Sequence, residues 1–234
     1  MNLQTLMPNV MQYTDKLQAA IAATLQMFLI SGIFTLIFGF IFGILLIVTK
    51  NDGIAPNKVV YYIVTVVTNF FRAIPFVILL IFLIPFTRLL VGTSIGVTGA
   101  IVPLVFGATP FFTRQVESVL ASVDPGKIEA ARAMGCSVPD IIFRVYLAEA
   151  VPDLWRAITI TSISIVGLTT MAGAVGAGGI GSFAINYGQN LHHQDVVNVC
   201  VVILLIFVTV LQTVGNLLAR KTTNRKIFAK KVTL

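Results

Sequence analysis

Long apolar runs and short polar interruptions alternate along the chain. Five runs stand out, at about residues 21–48, 59–86, 95–112, 154–172 and 196–216. Each approaches or exceeds the roughly 20 apolar residues that a helix needs to cross a hydrocarbon core about 30 Å thick. None alternates apolar and polar residues with period two, and backbone groups in lipid must be satisfied within their own segment. The pattern therefore predicts an all-α integral membrane protein with five transmembrane helices. The third run is the least regular, because Pro103 and Pro110 interrupt it.

One polar interruption has its own helical punctuation. In DPGKIEAARAMGCSVPD, residues 124–140, Asp124 fits an N-cap and Pro125 the first helical position. Lys127 to Met134 are good helix formers, and Gly135 suits the left-handed residue that ends a helix. Ser137 offers a second N-cap, with Asp140 at capping-box spacing. A second helix is expected from about Val138 to Ala150, stopped near Pro152. The region of about 117–150 thus reads as a helix–turn–helix between spans three and four. Ala130, Ala131 and Ala133 keep its first helix thin, and Glu129 and Arg132 add charge. These residues fit either a solvated loop or a helix that enters a groove on another protein.

Composition sharpens the membrane assignment. Of 234 residues 57% are hydrophobic and 11% charged, with a mean hydropathy of +0.95; ordinary soluble domains carry about 25% charged residues. Cys136 and Cys200 match no metal or redox spacing and read as ordinary small residues. The first run is too long for a signal-peptide core and lacks a basic segment before it, so it is expected to remain as a span.

Charge sets the orientation. Lys50 and Lys58 lie between spans one and two. Arg114, Lys127, Arg132 and Arg144 lie between three and four, and Arg220, Lys221, Arg225, Lys226, Lys230 and Lys231 follow span five. Lys16 and Arg88 fall on the other side. By the positive-inside rule the N-terminus is outside and the C-terminus cytoplasmic. The expected organisation is an outer tail (1–18), a membrane domain (19–216) and a basic cytoplasmic tail (217–234). That tail suits topogenesis and contact with anionic membrane lipids better than nucleic acid, which is not expected as a partner.

Several apparent motifs dissolve on inspection. Gly126-Lys127 lacks both the leading glycine, since Ala121 stands there, and the Ser or Thr that a phosphate loop needs after the lysine. Gly176-x-Gly178-x-x-Gly181 spells a dinucleotide fingerprint but follows a membrane helix, not a strand. It suits close packing or bending at the outer end of span four, and Gly176, Gly178, Gly179 and Gly181 are expected to give flexibility to an outer gate. His192, His193 and Asp195 lack metal-site spacing and read as an outer loop. No catalytic, cofactor-binding or metal site is predicted.

Candidate groups inside the membrane are few. No Asp or Glu falls in the five runs, which argues against an ion-coupled carrier built on intramembrane acids. Span four carries Ser164, Thr170 and Met171, hydroxyls and a thioether that could line a route or gate, or merely bond their own helix. Arg72, in FFRAIPF, sits midway along span two. Pro75 is expected to kink the helix and free carbonyls that Arg72 satisfies, with solute contact as the other reading. Gly39-x-x-x-Gly43 reads as close helix packing.

Glu129-Ala130-Ala131, then Gly135, then Val145-Tyr146-Leu147-Ala148 resembles the EAA signature of bacterial ABC importer permeases. Val145 and Ala148 depart from it, standing where that family has Ile and Pro. Residues 69–96 and AGAVGAGGIG (172–181) are similar to the permeases of methionine-uptake importers. The resemblance implies that Glu129, Ala130, Ala131, Arg132, Met134 and Gly135 couple to a separate cytoplasmic ATPase that binds ATP and Mg. It further implies a homodimer with two ATPase copies, an external substrate-binding protein that delivers methionine or a related amino acid, and a place in the bacterial inner membrane. The competing class is an ATP-independent channel or secondary carrier.

Overall fold

The computed structural model describes residues 8–232, with side chains for 8–223. The regular elements among the described residues are all helices, with no strand: α1 (Pro8–Gln12), α2 (Thr14–Thr49), α3 (Lys58–Ala73), α4 (Phe76–Phe82), α5 (Ile84–Val91), α6 (Gly96–Ala121), α7 (Pro125–Ala133), α8 (Val138–Ala177), α9 (Gly179–Phe183) and α10 (Gln194–Val232). Two π-helical stretches lie within α8, at Ile141–Tyr146 and Gly173–Ala177, and a third follows α9 at Ala184–Gln189. Four helices are long and apolar enough to cross a membrane: α2, α6, α8 and α10 over Gln194–Thr223. The bent pair α3 and α4 makes a fifth when taken as one span.

The helices outrun the apolar windows that predict them. Span one grows into the 36 residues of α2, and span three extends to Ala121. An apolar window marks what lipid can cover, whereas intrahelical hydrogen bonding continues as long as nothing breaks it. Pro103 and Pro110 are accommodated inside α6. Pro152 likewise does not stop a helix: α8 runs through it from Val138, so the short second helix expected over 138–150 merges with span four. Span two differs in the other direction. It breaks at Ile74–Pro75 and again at Leu83, because proline lacks the N–H and clashes with the preceding turn. Of the two expected tails, residues 1–7 lie outside the described residues. Residues 217–232 continue α10, and the side chains of Arg225, Lys226, Lys230 and Lys231 also lie outside the description.

The chain forms two compact units. One comprises residues up to Thr35, Ile74–Ala108 and Ser162–Leu211. Its core gathers Met27, Ala100, Leu104, Ala172 and Ala177, with a second cluster of Val10, Ala20, Ile180, Phe183, Val196 and Cys200. Here α1 is pinned to the start of α10: the Asn9 backbone N–H and amide both donate to the Asp195 carboxylate at 3.0 Å.

The other unit comprises Leu36–Ala73, Thr109–Thr161 and the chain from Gln212 on. Its core joins Ile47 and Val48 of α2, Phe112, Val116 and Leu120 of α6, Ala131 of α7, and Tyr146, Ala150 and Leu154 of α8. Gly39 and Gly43 make the α2–α6 contact close. A Cβ at Gly39 would lie 2.7 Å from Phe112 Cδ1, and one at Gly43 would lie 2.6 Å from Val116 Cβ and 3.0 Å from the Thr113 carbonyl. The small-residue spacing therefore does the packing job read from sequence.

Gly43→Val should lower the thermal unfolding midpoint of the purified protein in detergent by more than Gly39→Ala. The first pushes on a β-branched neighbour and on backbone, the second on a ring that can rotate. Overpacking of this kind costs about 1–3 kcal/mol. Equal midpoints for both variants and the parent would refute the close contact.

Candidate coupling element and membrane-interior groups

The polar interruption folds as its residues dictate. The Asp124 carboxylate accepts the Gly126 N–H at 2.9 Å, and Pro125 starts α7. Gly135 has φ +76°. Its N–H donates to the Arg132 carbonyl, and the Cys136 N–H to the Ala131 carbonyl. That pair of bonds is the Schellman cap, in which a left-handed residue closes the last turn. Ser137 then caps the next run. Its hydroxyl accepts the Asp140 N–H at 3.4 Å and donates to the Asp140 carboxylate at 2.5 Å. The aspartate is bound through the hydroxyl instead of reaching back to the Ser137 N–H, as a longer glutamate would.

Helix α7 has an inner and an outer side. Ala131 is 3% exposed and packs with Ile47, Val48 and Tyr146, and Ile128 is partly buried against the same core. Glu129, Ala130, Arg132, Ala133, Met134 and Gly135 are exposed, Met134 to 76%. The six candidate coupling residues thus divide. Ala131 seats the helix, and the other five reach the surface.

Two polar ties add to that seat. The Arg132 guanidinium donates to the Gly53 carbonyl, and Lys127 pairs with Glu149 at 3.0 Å. Gly53 lies in a turn so tight that a Cβ would meet the Val48 carbonyl oxygen at 2.3 Å. The turn is closed by Ala55 N–H to Val48 O and Asn57 N–H to Thr49 O. Sequence reasoning missed this brace, and the available signal was the Asn51-Asp52-Gly53 turn dipeptides directly after a span. Gly126 has its N–H already taken by an acid, an arrangement that disfavours phosphate at the α7 N-terminus.

On α8 the candidate gate residues Ser164 and Met171 share one side of the helix, with Gly167 between them. Gly167 and Met171 are exposed, Met171 to 43%. Thr170 differs: its hydroxyl donates to the Val166 carbonyl at 3.0 Å, as Thr169 does at 2.8 Å. These hydroxyls satisfy their own helix.

The glycine segment is a compact reversal. Gly176, Gly178 and Gly179 have φ of +96°, +85° and +80°. A Cβ at Gly181 would lie 2.2 Å from the Thr170 carbonyl oxygen, and one at Gly179 would lie 2.6 Å from Thr24 Oγ1. Thr24 Oγ1 accepts the Ile180 N–H at 2.8 Å, which pins α9 to α2. The geometry requires glycine at these positions for close approach and positive φ. His193 stacks near Tyr13 at 6.2 Å, while Asp195 is engaged by Asn9.

Arg72 lies in the last turn of α3. Its side chain is exposed and makes no hydrogen bond or ion pair among the described residues, so the expected bond to carbonyls freed by Pro75 is not formed. Nearby on the same helix, Asn69 Oδ1 accepts from Arg114 at 2.8 Å, and Arg114 also pairs with Glu117 at 2.6 Å.

Known proteins share this architecture. The family model for the binding-protein-dependent transport system inner membrane component matches residues 35–225. A probable D-methionine transport system permease protein, MetI of Vibrio cholerae serotype O1, is 40% identical over 212 residues, covering 91% of this chain and 94% of that protein. The methionine import system permease protein MetP of Bacillus subtilis is 43% identical over 174 residues, 74% of this chain and 78% of that one. Among solved structures, a chain of the MetNI methionine ABC transporter in inward-facing conformations is 44% identical. It superposes with a TM-score of 0.87 over 90% of this chain and 98% of its own. An amino acid ABC transporter at 15% identity and TM-score 0.75 shares the fold.

Arg132→Ala should speed amide hydrogen exchange in both residues 50–57 and α7, a local loosening of about 1 kcal/mol for one lost hydrogen bond. Unchanged exchange in 50–57 would show that the brace does not hold that loop. Gly181→Ala should destabilise the protein by about 1–3 kcal/mol, because Thr170 backbone must move. Wild-type thermal stability in that variant would contradict the close reversal.

Proposed function

The chain belongs to the binding-protein-dependent transport system inner membrane component family, and from that membership we propose that it carries methionine or a related amino acid inward as the permease subunit of an ABC importer. It is a multi-pass transport component and not a catalyst. The observation that carries the reading is the near full-length similarity to methionine permeases, together with a capped helix whose outer side is free for a partner.

In this reading the N-terminus lies outside and α7 faces the cytoplasm. Two copies of the chain form the passage. Five spans are few to enclose a solute route, and each chain supplies one coupling helix for a pair of ATPases. ATP and Mg reside on the ATPase subunits. An external binding protein delivers the amino acid to the outer side. Membrane domain 19–216 forms the passage, and the basic end of α10 lies against anionic lipid.

The geometry of α7 supports a coupling step. Glu129, Ala130, Arg132, Met134 and Gly135 contact the ATPase, and Ala131 transmits its position into the core of α2, α6 and α8. Nucleotide shifts the permease between inward- and outward-open states only by contacting α7 differently in the two. Met171, with Ser164 on the same side of α8, narrows the route. Thr170 supports that helix, and Gly176, Gly178, Gly179 and Gly181 shape the turn at its outer end.

Co-purification with the ATPase and ATP-driven uptake in proteoliposomes test this reading, with wild type, Gly135→Ala and Gly135→Arg compared. Both substitutions strain the left-handed cap by about 1–2 kcal/mol, but only arginine adds bulk where nothing lies within 4 Å of an added Cβ. Wild type should bind the ATPase and import methionine, alanine should retain part of both activities, and arginine should lose both while staying monodisperse. Methionine flux without ATP would replace the importer by a channel or carrier.

A further inference from the structure

Four polar residues of helix α3 share one exposed sector, with Thr65 half-buried between them and Thr68 buried beside them. At 100° per residue Lys58, Tyr62, Asn69 and Arg72 fall within a third of the helix circumference, and all four are exposed, Tyr62 to 68%. The neighbouring exposed sector is wholly apolar, with Val59, Ile63, Val66, Val67 and Phe70. The apolar sector suits lipid or another apolar face. The polar sector does not: at a rise of about 1.5 Å per residue, Arg72 lies about 21 Å along the helix from Lys58, within the apolar run that predicts span two. A charge in such a run faces water or a counter-charge.

Among the described residues the chain offers no free counter-charge there. Glu117 is held by Arg114, and Arg114 is tied again to Asn69. The Arg72, Arg114 and Glu117 set therefore carries one uncompensated positive charge. A second copy of the chain would bring the same set, its own Glu117 held in the same way. An anion that pairs with Arg72 would come from outside the described permease residues.

We infer that the Lys58–Tyr62–Asn69–Arg72 sector of α3 lines the aqueous passage and that Arg72 binds the carboxylate of the amino acid in transit. This assignment rests on the importer reading above and adds to it a site for the substrate's main-chain acid. A guanidinium is always charged and presents a fork that matches a carboxylate. It provides a way-station common to amino acids, leaving side-chain selection to other parts of the system.

The test uses the assembled transporter with its ATPase and binding protein in liposomes, with Cys136→Ser and Cys200→Ser removing this chain's native thiols. Tyr62→Cys should react with a water-soluble cationic methanethiosulfonate roughly tenfold faster than Val67→Cys, which lies on the apolar sector. Methionine should slow that labelling, and methioninamide, which lacks the carboxylate, should not. Arg72→Gln should cut methionine uptake about tenfold or more while stimulated ATP hydrolysis stays within about twofold, and Arg72→Lys should recover a substantial part. Equal labelling of the two cysteines would overturn the aqueous lining. Equal protection by the amide, or wild-type uptake by Arg72→Gln, would overturn the carboxylate site. So would slowing of the reaction by anionic lipid but not by methionine, since Arg72 would then hold a headgroup. If the parent itself imports no methionine, the importer reading fails, a result separable from labelling of the sector.

Discussion

The seating of Ala131 is the contact on which the placement of α7 depends. Its methyl group is small enough to let α7 lie directly on the ends of α2, α6 and α8, where Ile47, Val48, Leu120 and Tyr146 meet. A larger residue would lift the helix and separate Arg132 from Gly53 and Lys127 from Glu149. With alanine there, the helix is fixed along one side and bare along the other. That asymmetry suits the proposed coupling role, in which the bare side meets a partner and the seated side rests on three membrane helices.

Polar satisfaction explains much of what surrounds this seat. Thr113, Thr159 and Thr170 donate their hydroxyls to carbonyls of their own helix, so they sit among apolar neighbours with their donors engaged, whereas the buried hydroxyls of Thr109 and Thr161 find no partner among the described residues. The glycine reversal after α8 borrows Thr24 to satisfy the Ile180 N–H. Arg72 is the contrast, a permanent charge with no partner on its own chain among the described residues. In a chain this short of charge, that exception is what motivates the proposed carboxylate site on α3.

Much of this was legible in the residues. Caps at Asp124 and Ser137, the left-handed Gly135, the close approach at Gly39 and Gly43 and the number of apolar runs all follow from local rules, and the structure has them. Helix ends were less legible, because hydropathy does not report where a backbone ladder stops. Pro152 shows this by lying inside α8. The inner position of Ala131 and the Arg132–Gly53 brace depend on pairings across 79 residues of sequence, which no local spacing encodes. Of the close packing or bending read for the glycine segment, the structure has the close packing, with positive φ at Gly176, Gly178 and Gly179 and approaches under 3 Å at Gly173, Gly179 and Gly181.

The claim that α7 passes nucleotide-driven motion into the permease is tested most directly by placing a photoreactive amino acid at position 134, an exposed point of that turn. The complex is then irradiated with and without ATP. The account predicts an adduct with the ATPase subunit in both states, at a different site or in a different yield when ATP is bound. An adduct with lipid or with a second permease copy, or an ATPase adduct indifferent to nucleotide, would contradict it.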